Sequence, residues 1–332
     1  MAGPTTSTGK PRAVQRSAAD TITNRLFGTD VARTKTRLRK YVGVYLLLVI
    51  PVVYLLVYRY YPILLQAIIA FKDYKISKGI FGSEWYGLGN FRELFAIRDI
   101  GRVVRNTVVI SLLRLTCGFF PPIILAIFLY DLHLNALRRA SQTILYIPHF
   151  FSWVIIYSIS YSLFTRTGLV NSIIVALGGE ARDFLVSGSS FRPLIIISGI
   201  WKEVGWGTII YLAALSNLDP GLFDAAKIDG AGPLQRIRHI TLPGIRGVVV
   251  FLLTLSVGRL FQSTGVEQIL LFYSPATYEV GDVIGTWVYR QGLTKLQYGL
   301  GTALAFIESV FGLILILSVN YLAKKRLKVG LW

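Results

Sequence analysis

Arg114, Lys202, Glu203, Arg259 and Glu308 each stand within a long apolar run of this 332-residue chain. At about 1.5 Å per residue along a helix, they fall in one layer a little way in from the same end of their runs. If those runs cross a bilayer, each charge costs roughly 2.5 to 3.5 kcal/mol, so each must face a partner or a water-filled interior. Two arrangements satisfy that demand. The charges pair internally, Arg259 with Glu308 and Arg114 with Glu203, and hold helices in register. Alternatively they line a path for a charged or hydroxyl-rich solute, with Trp201, Trp206 and Gln262 placed to stack on or hydrogen-bond a hydroxylated ring. The bases exceed the acids by one, which favours an anionic solute over a cationic one. Catalytic patterns are missing. The one Gly-Lys pair, Gly9-Lys10, is followed by Pro11 with no preceding strand, and the three histidines, His133, His149 and His239, lack metalloprotease spacing. No G-x-S-x-G occurs, so nothing points to a serine hydrolase. His149, in an apolar helix, reads as a neutral, hydrogen-bonded core residue.

The elements that must position these residues are membrane spans. Hydrophobic residues make up 53% of the sequence, too many for a water-soluble domain of this length. Six spans are expected, at 41–61, 105–130, 141–165, 192–216, 245–265 and 298–323. The net charge of +18 is concentrated in Arg33 to Lys40, in Arg138-Arg139 and in Lys324 to Lys328, which places those segments and both termini in the cytoplasm. The charge thus reports topology, with membrane lipid as the partner and no nucleic acid. Residues 1–40 form a basic tail, disordered in large part, without a cleavable signal peptide. Residues 324–332 form a second basic segment. Cys117, the single cysteine, excludes a disulfide or a cysteine metal site and serves packing. Pro121-Pro122 should break or kink the second span, and Pro148-His149 the third. The segments Ile69 to Phe95, with a short helix near Phe91, and Gly168 to Arg192 should lie outside. On the first of these, Lys72, Lys75 and Lys78 form a basic patch, either solvated or meeting an acidic partner.

Between the fourth and fifth spans lies DAAKIDGAGPLQRIRHITLPGI, Asp224 to Ile245. Asp219 can cap a helix opening at Pro220, Asp229-Gly230 should stop it, and Gly232-Pro233 should open a second. Leu222, Phe223 and Ala226 on the first helix and Leu234, Ile237 and Ile240 on the second form apolar stripes for burial, with Lys227, Arg236 and Arg238 outward. The stretch resembles the cytoplasmic loop of permease subunits in binding-protein-dependent ABC importers, whose pattern is Glu-Ala-Ala, Asp-Gly-Ala and Leu-Pro. Here the matching residues are Asp224-Ala225-Ala226, Asp229-Gly230-Ala231 and Leu242-Pro243. The leading acid is Asp rather than Glu, which keeps the charge and shortens the reach.

Further resemblance to the carbohydrate, maltose-permease-like branch lies in Gly87-Leu88-Gly89-Asn90-Phe91, in the IPHFFSWV region of the third span, in Trp201 to Ala231, and in VGDVIGTWVYRQGL, Val280 to Leu293. Within that branch the sequence is most similar to permeases of polyuronate import, such as alginate importers. The resemblance implies an all-α membrane protein, a six-helix type I importer permease spanning 41–323, with coupling helices in 217–245. It implies a multi-pass bacterial inner-membrane subunit that binds no cofactor itself and is not an enzyme. A second, homologous permease and two ATP-binding subunits carrying ATP and Mg would be its partners, with an external solute-binding protein delivering an oligosaccharide, acidic by the likeness to alginate importers. Asp224, Ala225, Ala226, Asp229, Gly230, Ala231 and Pro243 would couple the permease to the ATPases. The competing classes are an ion-gradient secondary transporter, which should show inverted repeats, and a membrane enzyme acting on lipid-linked sugars, which needs a carboxylate or histidine cluster at one interface.

Overall fold

In the computed structural model, the described residues are 41–258, 260 and 265–327. The basic tail expected at 1–40, the path residues Arg259 and Gln262, and residues 328–332 therefore lie outside them. The N-terminal unit, up to Leu64, is carried by helix α1, Val42–Ala70, none of whose residues between Val42 and Tyr60 is buried. Pro62 has no N–H to give the carbonyl of Tyr58, and the helix widens to a π turn at Leu56–Tyr60, just ahead of it.

The unit from Leu65 onward holds the core. A two-residue hairpin, β1 (Lys72–Asp73) and β2 (Glu84–Trp85), is followed by α2 (Gly89–Ala96) and by α3 (Ile100–Asp131). Then come α4 (Asn135–Tyr146), a 3-10 turn at Ile147–Phe150, α5 (Trp153–Phe164), α6 (Leu169–Ala176) and α7 (Gly188–Ser216). The chain continues through α8 (Pro220–Ile228), α9 (Pro233–Gly258), α10 (Val266–Phe272), α11 (Ile284–Trp287) and α12 (Tyr298–Leu327). Helices α1, α3, α7, α9 and α12 are each long and apolar enough to cross a bilayer. The remaining expected span is broken, its halves Asn135–Phe150 and Trp153–Ala176 meeting at 103°.

Helix α3 is the spine. Ile100 and Val103 pack with Leu94, Ile284, Trp287 and Leu304 at one end, and Ile110 with Phe191, Ile195, Ile269, Phe272 and Val283 in the middle. Near its other end Ile123 and Ala126 pack with Tyr211, Leu215 and Ile245. Most of the side chains exposed along the spans are apolar, as lipid contact requires, so helix association rests on close packing instead of water exclusion. Gly205 shows how close this is: a Cβ there would lie 2.0 Å from the Leu145 carbonyl oxygen of α4.

Several expectations need correction. Pro121-Pro122 does not break α3, which runs unbroken to Asp131. Gly207 of α7 packs on the Pro122 ring, and Thr208 donates to the Pro122 carbonyl at 3.4 Å, so the neighbouring helix supports the proline segment. The second coupling helix is not separate: Pro233–Arg236 continues through a π turn, Ile237–Thr241, into the fifth span. Pro243 is absorbed there as Pro62 is in α1. The fourth span begins at Gly188, not Arg192. Nor are the apolar stripes of the coupling segment fully buried, because Leu222 and Leu234 remain 52% and 77% exposed.

The segment expected to lie outside, Ile69 to Phe95, is bound tightly to itself. Asn90 is buried and donates to the carbonyls of Ala70 and Lys72, both at 2.9 Å, fastening the base of the hairpin. Lys72 gives its ammonium to the carbonyls of Ile80, Phe81 and Ser83, Lys75 pairs with Asp73 at 3.1 Å, and Lys78 pairs with Glu84 at 2.9 Å. The basic patch expected there is thus neutralised or consumed within its own loop.

Candidate functional site

Between the middle core cluster and the one around Tyr211, α3 and α7 part around a cavity of about 450 Å³. Its lining includes Ser111, Arg114, Trp153, Glu203, Tyr211 and Ser256. Of the candidate path residues, Arg114 and Glu203 therefore share one cavity, whereas Trp201, Lys202, Trp206 and Glu308 do not line it.

Arg114 and Glu203 do not pair, contrary to one expectation. The Arg114 guanidinium donates through Nη2 to Gln268 Oε1 at 2.5 Å. Glu203 instead lies 2.9 Å from His149 Nδ1 and 3.9 Å from Lys202 Nζ. The break at Pro148 sets this choice, since it swings His149 against α7, where its ring stacks on Trp206 at 4.4 Å and 4°. His149 is hydrogen-bonded, as expected, yet half-buried at the cavity's flank and not in the core.

Lys202 has a different task from the one expected. It is 8% exposed and donates to the carbonyls of His149 and Phe151 at 2.6 and 2.7 Å, with its ammonium 5.6 Å from the Trp153 ring. Those carbonyls are freed where the third span breaks, and in a bilayer freed carbonyls must find donors within the protein. Ser152 caps the restarted helix by accepting the Ile155 N–H at 3.3 Å. Trp201 and Trp206 are 43% and 47% exposed. Glu308 is half-buried on α12 with no ion-pair partner among the described residues. Ser111, Trp153 and Gln268 escaped the sequence reading: Ser111 is one helical turn before Arg114 on the same face, a spacing that was visible, while Gln268 is distant in sequence.

At the far end of α3 from the hairpin, the coupling segment folds as a helix, a tight turn and a second helix. Asp219 caps α8 through the Gly221 N–H at 2.9 Å, as its position suggested. Gly230, at φ 75°, closes α8 in the left-handed region. The Ala231 N–H returns to the Ala226 carbonyl at 2.8 Å and the Gly230 N–H to that of Lys227 at 3.1 Å, a Schellman ending. Asp224 is exposed and pairs with Lys227 at 3.1 Å, Ala225 and Asp229 are exposed, and Pro243 lies exposed on α9. Ala226, Asp229, Gly230 and Ala231 share a groove of about 310 Å³ with Arg236 and His239. The buried Arg236 Nε in that groove has no partner among the described residues. On the same two helices Leu222, Ile228 and Leu234 are 52%, 87% and 77% exposed.

On the other side, Asp282 is fully buried and accepts two hydrogen bonds from Arg290, at 3.0 and 2.5 Å. That hydrogen bonding raises the Arg290 pKa above its ordinary value. Asn106 of α3 donates to the carbonyls of Glu279 and Asp282, which locks this segment onto the spine. No group of three or more histidine, cysteine or acidic side chains is arranged for a metal among the described residues.

Residues 118–328 match the profile of the binding-protein-dependent transport system inner membrane component family. The chain belongs to that family. As a member it is the multi-pass membrane component of a transport system, and its work is transport, not catalysis. It is 42% identical to protein LplB of Bacillus subtilis over 87% of this chain and 90% of that one. It is also 42% identical to the polygalacturonan/rhamnogalacturonan transport system permease protein YteP of the same organism, over 87% of this chain and 89% of that one. A solved bacterial alginate ABC transporter, in complex with an alginate pentasaccharide-bound periplasmic protein, contains a chain that superposes with a TM-score of 0.82 at 34% identity. The match covers 89% of this chain and 99% of that one. The type I importer permease fold inferred from the loop motif is therefore this chain's fold, with its third span broken.

Proposed function

We propose that this chain is the membrane-spanning subunit of an ATP-driven importer for an acidic oligosaccharide, delivered by an external solute-binding protein. The observation that carries the reading is the coupling end. Asp224 to Pro243 forms an exposed helix–turn–helix whose groove is lined by Arg236 with an unused N–H, and the same two helices carry exposed Leu222, Ile228 and Leu234. Apolar side chains on a charged, extramembranous element need a protein partner. ATP-binding subunits holding ATP and Mg supply it, with Ala225, Ala226, Asp229, Gly230 and Ala231 in the contact. A second, homologous permease completes the translocation path, and both termini lie in the cytoplasm. Supporting the substrate class are the names of the relatives, a polygalacturonan/rhamnogalacturonan permease and an alginate transporter, and the cationic Arg114 in the cavity.

In this reading, closure of the ATPases moves α8 and the start of α9. Because Pro233–Gly258 is one continuous helix, that motion passes along α9 to Ser256 at the cavity wall. The test is co-expression with candidate ATPase, permease and binding-protein genes, followed by purification and an ATPase assay. A stable complex whose ATPase rate rises with a binding protein loaded with oligogalacturonate or oligoalginate is expected. A chain that purifies without an ATPase partner overturns the proposal.

A further inference from the structure

Arg114 is a cation that the described residues leave uncompensated. No carboxylate lies within salt-bridge distance of it, and Glu203, which lines the same cavity, is engaged by His149 and Lys202. What holds the guanidinium is neutral. Gln268 is fully buried, and its Nε2 donates to the Ile195 carbonyl at 2.9 Å and to Ser198 Oγ at 2.8 Å. With both amide hydrogens assigned on α7, its Oε1 has only one direction left, toward Arg114. Gln268 can aim the guanidinium without cancelling its charge. Of the five N–H donors on an arginine, one goes to Gln268, and the buried Nε has no partner.

The neighbouring atoms point to a ligand as well. Ser111 is 3% exposed and lines the cavity, and its hydroxyl has no partner. Elsewhere on these helices hydroxyls bond back to the preceding turn, as Thr107, Thr116, Thr208 and Ser256 do. An unpaired hydroxyl at a buried wall is costly unless something polar comes to it. Gly265, at φ 65°, lies where any side chain would run into the Arg114 guanidinium, so the turn before α10 leaves that space to the arginine. The result is a donor pair, a hydroxyl and an unneutralised guanidinium, one helical turn apart on a single wall.

We propose that Ser111 and Arg114 form a carboxylate-binding subsite that reads the acid group of a uronic acid residue, with Gln268 as the positioning residue. The subsite rests on the importer reading and adds the residues that select an acidic sugar. A guanidinium donates in parallel to both oxygens of a carboxylate, whereas a neutral hydroxymethyl group at the same sugar carbon gains nothing from the charge. A single cation also lets the solute leave again, as transport demands.

The test compares tetragalacturonate with the same tetrasaccharide after carboxyl reduction. Binding is measured by calorimetry on the purified permease–ATPase complex without binding protein, and uptake is measured in cells. The wild type is expected to bind the acid at least tenfold more tightly than the neutral sugar. Arg114→Gln should remove that difference by weakening the acid far more than the neutral sugar, and Arg114→Lys should keep part of it. Gln268→Glu, which puts a carboxylate onto the guanidinium, should abolish acid preference with Arg114 still present, an effect that lost packing alone would not confine to the acid. Should Gln268→Glu fail to assemble, the two Arg114 variants decide the matter. A wild type that binds both sugars equally, or an acid preference intact in Arg114→Gln, overturns the subsite. A complex that takes up neither sugar overturns the importer reading, while the calorimetric comparison still judges the subsite.

Discussion

The ammonium of Lys202 lies 2.6 Å from the carbonyl oxygen of His149, joining the middle of α7 to the end of a helix that stops inside the membrane. A lysine in an apolar span thus serves the backbone: it neutralises no acid as its main role and takes up the carbonyls that Pro148 and the extended Phe151 release.

Lys202→Met should therefore lower stability more than a surface lysine would. It removes two charge-assisted hydrogen bonds from carbonyls with no water to replace the ammonium, a loss of roughly 3 kcal/mol. The melting temperature of the purified complex is expected to fall by several degrees, with a smaller fall for Lys202→Arg. An unchanged melting temperature in Lys202→Met would show that the break at Pro148 needs no cation.

Gly230 is open to a sharper test than its place in a turn suggested. Nothing lies within 4 Å of where its Cβ would stand, so substitutions act through the backbone alone. Gly230→Ala must hold φ near 75° at a cost of about 1 kcal/mol, and should retain most coupled transport. Gly230→Pro cannot adopt that φ and also loses the N–H given to Lys227. Its expected result is an assembled or partly assembled complex whose ATPase no longer responds to the loaded binding protein. Full uptake by Gly230→Pro would remove these residues from the coupling role.

What the sequence disclosed divides by range. The Asp219 cap, the Gly230 stop and the interruption at Pro148 are local, set by residues a few positions apart, and each is present. Partner choice was not legible, because it depends on how helices rotate against one another. The depth of Arg114 and Glu203 suggested a pair, but α7 turns Glu203 toward His149, and Gln268 arrives from a segment 154 residues away from Arg114. Pro121-Pro122 misled for a related reason. A proline pair breaks a helix in water, whereas here Gly207 and Thr208 of α7 support it and α3 continues.

Between α10 and α12, Asp282 and Arg290 form a buried pair whose worth depends on both members. Asp282→Ala leaves Arg290 without its bidentate acceptor and frees Thr286 Oγ1, which donates to the same carboxylate at 2.8 Å. A loss of about 3 to 5 kcal/mol is expected. The double variant Asp282→Leu with Arg290→Met should be less damaging than Asp282→Ala alone, since it leaves no buried charge. Thermal melting of the two variants beside the wild type checks the order; a double variant worse than the single would mean the pair specifies this segment's conformation beyond its charge balance.

The hairpin pair Lys78–Glu84 sets a pH expectation whose sign follows from both partners. Hydrogen bonding to Lys78 holds the Glu84 carboxyl below its ordinary range, and the same bond raises the Lys78 ammonium. Glu84 therefore contributes at any pH above the ordinary carboxylate value and loses that contribution as pH falls through its depressed one. The Lys78 contribution is present below the ordinary lysine value and disappears as pH rises through its raised one. Across neutral pH both charges persist, so hairpin order should be flat there and decline only at the acid and alkaline extremes. Both side chains are exposed, so the effect is small and screened by salt. Fluorescence of Trp85, which stacks on Phe71 at 5.8 Å, reports it once the other tryptophans are replaced. A transition near pH 7 would show that a different group controls the hairpin.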